Sequence, residues 1–117
     1  MRIMDVENVN ELLQFECDAV MIDVAPEGGY ERERIRGALN APLDEPGFES
    51  RVHELVPDRE SLLIVYGRNW LDDQSRRAVG RLESAGYANV VRLAGGLGGW
   101  RGAGLETERG PRAAVLH

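Results

Sequence analysis

The stretch with most chemical potential is Gly67, Arg68, Asn69, Trp70, Leu71, Asp72, Asp73, Gln74 and Ser75, between the apolar run "SLLIVY" (61–66) and a helical pattern. A strand that opens into a loop and then a helix aims the helix's free N–H groups into the loop, which suits an anion or an anionic reaction centre. This loop holds no Cys, His or Lys, and Arg68 is its one cation. Asp72 and Asp73 fall where carboxylates cap a helix start. Only one thiol exists, Cys17 in "QFECDAV", flanked by Glu16 and Asp18, which repel an anionic sulfur. One Cys and two His, His53 and His117, supply neither a disulfide framework nor a metal-ligand set, so no metal and no cofactor is expected.

These residues need a scaffold. "AVMIDV" (19–24), "SLLIVY" (61–66) and "NVVRL" (89–93) read as buried parallel strands, with short strands in "MRIM" (1–4) and "GALNAP" (37–42). Asp5 can cap a helix over 6–16, with Val9, Leu12, Leu13 and Glu16 at helical spacing. "PEGGYERER" gives a turn with one helical turn. "GFESRVHELV" (47–56) is a helix ended by Pro57, and "QSRRAVGRLESAG" (74–86) a helix with Gly86 as its C-terminal cap. "GGLGGWRGAG" turns into a short helix carrying Trp100. It lacks the spacing of a dinucleotide-binding loop, and its glycines read as a tight turn that lets Trp100 pack. Strands alternating with helices predict an α/β fold. Ligands of such sheets sit beyond the carboxyl ends of the strands, on a rim formed here by segments 25–34, 67–74 and 94–99. Asp23, at a strand end on that rim, is expected to bond nearby loop N–H groups.

The 117 residues suit a single domain over 1–106 with a polar C-terminal tail, 107–117, loose at its end. All 14 basic residues are Arg, and the net charge is −6. An acidic balance argues against a nucleic-acid partner. No apolar leader and no membrane-length apolar stretch is visible, so a cytoplasmic protein without a membrane partner is expected.

"MIDVAPEGGYERERIRGALNAPLDE" resembles the first signature of the rhodanese family, the sulfurtransferase-like α/β domain, through Asp23, Val24, Tyr30, Ile35, Gly37, Ala38, Asn40 and Pro42. The segment 62–108 resembles the second, through Val65, Tyr66, Ser75, Ala78, Leu82, Gly86, Tyr87, Asn89, Val90, Leu93, Gly95, Gly96 and Trp100. The resemblance implies a three-layer α/β/α fold with a central five-stranded, mainly parallel sheet. It also implies transfer of sulfane sulfur, from a donor such as thiosulfate, through a persulfide on a loop Cys. That Cys is matched here by Gly67, which has no nucleophile to offer. The loop is longer than the family's short form, the family's Arg after "D-V" is Ala25, and its "G-H-I-P" is matched by Glu33, Arg34, Ile35 and Arg36.

Several readings follow. One is a module inactive as a thiosulfate sulfurtransferase, binding a partner protein or a small anion through the former active-site loop and the rim residues Asp23, Ala25 and Arg34. Another is a sulfur-transfer protein that uses Cys17 or a partner's Cys. The phosphatase type sharing this fold needs a Cys-x5-Arg loop that is absent. Asp72 or Asp73 either fills the place of a thiolate or only caps the helix. Arg68 either attracts an oxyanion or is solvated. Trp70 either packs over the site or offers a contact surface.

Overall fold

The computed structural model describes residues 2–112. Five strands form one parallel sheet: β1 (Arg2–Met4), β2 (Val20–Asp23), β4 (Leu39–Asn40), β5 (Leu62–Tyr66) and β6 (Asn89–Leu93), in the order β1-β6-β5-β2-β4. The helices are α1 (Val6–Phe15), α2 (Glu27–Arg32), α3 (Phe48–Leu55), α4 (Gln74–Ser84) and α5 (Gly96–Gly102). Two further strands, β3 (Arg34–Ile35) and β7 (Thr107–Glu108), pair antiparallel as a separate ribbon.

Side chains alternate across a strand, so β5 feeds both faces. Leu63 and Val65 enter one core with Phe48, Val52 and Leu82 from α3 and α4. Ile64 and Tyr66 enter the other with Val9, Leu97 and Trp100 from α1 and α5. This gives three layers, with both sheet faces covered, and explains why the central strands read as unbroken apolar runs.

The punctuation follows the sequence. Asp5 accepts the Asn8 N–H at 2.8 Å and starts α1. Past α4, Gly86 takes φ +99°, where the Tyr87 N–H turns back to the Leu82 carbonyl at 3.1 Å. "PEGGYERER" gives the complete short helix α2. Residues 107–112 lie against the body: the Gly110 N–H donates to the Glu31 carbonyl at 2.9 Å, and Arg112 reaches Glu27 at 3.0 Å. The loose end expected of the tail falls on 113–117, outside the described residues.

Candidate functional site

Parallel pairing aligns Asp23 with Tyr66, so β2 and β5 end side by side and release their loops on one rim. Asp23 is fully buried there. Its Oδ1 accepts the Ala25 N–H at 2.9 Å, the loop-holding role expected of it, and its Oδ2 is paired with the Arg68 guanidinium. Ala25 is buried, and its carbonyl accepts the Asn40 side-chain amide at 2.9 Å. The Tyr66 hydroxyl accepts the Ile35 N–H at 3.0 Å. Burial pushes this phenol well above its ordinary range, and the neighbouring Asp23 charge adds to the shift. Tyr66 therefore stays neutral.

Arg68 is partly exposed, yet its guanidinium is engaged by the protein itself. It folds inward, donating to the Glu33 carbonyl at 2.9 Å as well as to Asp23. A buried carboxylate without a counter-charge is costly, and Arg68 supplies that charge. Its Nε is buried without a hydrogen-bond partner. Arg34 turns away from the loop. Its head bonds Glu108 at 3.1 Å and the Gly110 carbonyl at 2.8 Å, and it stacks over Tyr30 at 4.3 Å. It braces the β3–β7 ribbon.

The two loop carboxylates separate cleanly. Asp73 occupies the cap position of α4, yet its side chain makes no cap bond and points outward, 4.0 Å from Arg76. Asp72 does the capping: Oδ1 accepts the Gln74 N–H at 2.7 Å and Oδ2 the Arg68 N–H at 3.0 Å. A Cβ built on Gly67 would lie 2.7 Å from Asp72 Oδ2, so the carboxylate fills the space into which a side chain at 67 would grow. Ser75 is buried, its hydroxyl accepting from Arg92 at 2.9 Å.

The first amides of α5 hold the other side of the loop. Leu97 N–H donates to the Gly67 carbonyl at 2.9 Å and Gly98 N–H to the Arg68 carbonyl at 2.8 Å. Gly96, at φ +57°, is required by this contact, because a Cβ there would come within 2.5 Å of the Gly67 carbonyl oxygen. At the tip, Asn69 Oδ1 accepts the Leu71 N–H at 2.9 Å. Trp70 lies over Gly95, whose Cβ would meet the indole at 2.9 Å, and is still 67% exposed; Leu71 is 97% exposed.

The Rhodanese-like domain profile matches residues 5–103. The chain belongs to the rhodanese-like domain family. Among curated relatives, a thiosulfate sulfurtransferase of Escherichia coli is 38% identical over 79 residues, covering 65% of this chain and 68% of that protein. An HTH-type transcriptional regulator of Mycobacterium tuberculosis is 33% identical over 93 residues; these cover 80% of this rhodanese-like chain and 39% of the regulator. Among solved structures, the Alr3790 protein of Anabaena superposes with a TM-score of 0.81 at 29% identity, covering 92% of each chain. A rhodanese with anions from Escherichia coli gives 0.63 at 32% identity, covering 79% of this chain and 99% of that one.

Cys17 is exposed, in the turn between α1 and β2. It precedes the amino end of β2, whereas the rhodanese-like loop follows the carboxyl ends, so the length of the strand, roughly 10 Å, separates the two. Sequence reasoning passed over Asp44 and Glu45, which are exposed on the same rim; Gln74 Nε2 reaches Asp44 at 3.4 Å. The signal was available, because "LDEP" also follows a strand and must reach the carboxyl side of the sheet. No helix among the described residues is long and apolar enough to cross a membrane.

Proposed function

We propose that this chain is a rhodanese-like module that carries no sulfur on its loop and acts by binding a partner through the rim. One observation carries the reading: the Asp72 carboxylate accepts the Arg68 and Gln74 N–H groups beside Gly67, so an internal anion sits where an external one, or a thiolate at 67, would be held. Gly67, matched to the family's Cys, has no atom to attack a donor. With those amides taken and Arg68 spent on Asp23, a partner protein fits the rim better than a small anion does. The occurrence of a similar domain within a transcriptional regulator is in keeping with a regulatory role.

Exposure of Cys17 supports a second reading, in which sulfur rides on that thiol or on a partner's Cys. One assay separates the two: sulfur transfer from thiosulfate to cyanide. The natural protein and Cys17→Ser are expected to be silent. Gly67→Cys alone is expected to stay silent, because its side chain meets the Asp72 carboxylate. Gly67→Cys with Asp72→Ser removes that obstacle and is expected to gain transfer. Activity in the natural protein that disappears in Cys17→Ser would overturn the first reading and establish the second.

A further inference from the structure

Around the loop tip the exposed chemistry is apolar and acidic; Arg32 and Arg76 flank it at the surface, and the guanidinium of Arg68 is engaged by Asp23. Trp70 and Leu71 project from the loop tip at 67% and 97% exposure. They are presented rather than loose: the Asn69 side chain ties the Leu71 amide, and the indole rests on the Gly95 backbone. Pro26, Leu71, Asp72 and Asp73 line one open depression on the rim, together with Arg68, whose charge Asp23 offsets. Asp44 and Glu45 stand exposed on the adjacent loop, tied to this one through Gln74, and neither is in an ion pair among the described residues. Arg68, the cation at this mouth, is held by Asp23.

From this juxtaposition we infer that the rim docks a basic segment of a partner protein, one presenting arginine or lysine beside an apolar side chain. A fixed indole is the best side-chain platform for a guanidinium or ammonium, and the alkyl stem of either residue covers Leu71 while its head reaches Asp73 or Asp44. Holding the aromatic anchor in place beforehand lowers the ordering cost of binding. Negative charge on the rim repels acidic segments and nucleic acid, and draws cationic ones in. The inference rests on the binding-module reading above and supplies its partner chemistry.

The test uses the whole chain and three synthetic peptides, repeats of Gly-Arg-Leu, Gly-Glu-Leu and Gly-Arg-Ser, followed by amide and indole chemical shifts. Gly-Arg-Leu is expected to shift the Trp70 indole and the amides of 44–45 and 70–73, and to weaken as salt is raised. Gly-Arg-Ser should bind more weakly, and Gly-Glu-Leu should leave the rim unchanged. Two surface variants, Trp70→Ser with Leu71→Ser, and Asp44→Asn with Glu45→Gln and Asp73→Asn, should each weaken Gly-Arg-Leu by roughly tenfold or more. Equal binding of Gly-Glu-Leu would overturn the inference. So would Gly-Arg-Leu shifts confined to the cleft at the amino ends of the strands, around Glu16, Asp18, Asp58 and Glu60. Self-association through Trp70 and Leu71 without peptide would assign the patch to a second copy and overturn it as well. Any of these in a protein silent in sulfur transfer removes the docking inference alone; transfer by the natural protein removes the reading beneath it.

Discussion

At the scale of residues, two adjacent carboxylates do different work. Asp72 bonds two backbone N–H groups; Asp73 bonds none and faces solvent. Asp72→Ala leaves both donors short of a partner and is expected to cost about 1–3 kcal/mol, whereas Asp73→Ala should stay within about 0.5 kcal/mol. Denaturant unfolding of the two variants checks this, and equal losses would contradict the assignment. The sequence told that a carboxylate would cap α4 but not which one. The choice turns on the path of the loop backbone, which is set by the Asn69 turn within the loop and by the α5 amides from outside the local sequence. The inward turn of Arg68 was hidden for a similar reason: its partner Asp23 lies 45 residues earlier.

At the scale of elements, the β3–β7 ribbon was invisible in the sequence. Two-residue strands have no periodicity to detect, and their partners lie more than 70 residues apart. Its chemistry is explicit in the structure. The Gly37 N–H donates to the Glu108 carboxylate at 3.1 Å, and this bond, followed by Arg34, holds that carboxyl below its ordinary value of 4.5. A group with a lowered folded pKa stabilises the fold in its charged form. That contribution is complete above the ordinary carboxylate value and is lost as the pH falls through the folded one. Acidification from the ordinary carboxylate value down through the lowered folded one is therefore expected to loosen the ribbon, seen as a shift of the Gly37 amide and faster exchange of the β7 amides. Glu108→Gln should show the released state already at neutral pH; an unchanged Gly37 amide in that variant would refute the coupling. By contrast, the long elements were plain, because α4 buries Ala78, Val79 and Leu82 on one face at helical spacing.

At the scale of the whole molecule, the sheet separates two cores, and the alternation of Leu63, Ile64, Val65 and Tyr66 assigns each residue to its side. Leu82 and Ile35 lie in different cores and are almost wholly buried. Leu82→Ala and Ile35→Ala are each expected to cost about 2–5 kcal/mol and to add in the double variant, since no partner is shared across the sheet. Calorimetry or denaturant unfolding should still show one transition, because both cores hang on the same strands. A strongly non-additive pair would mean that the sheet transmits strain between its faces. This layered plan was legible from the buried runs and their spacing. The rim chemistry was only half legible, because loop sequence names the groups present without saying which face inward.

Asp72 also shapes what is reachable from this sequence by mutation. A Cys at 67 meets a carboxylate oxygen that would lie 2.7 Å from its own Cβ. If Asp72 changes first, the loop loses its two internal bonds before any nucleophile arrives. Either order passes through a loop that is crowded or short of two bonds, so a thiol at this place is two coordinated substitutions away from the present sequence rather than one.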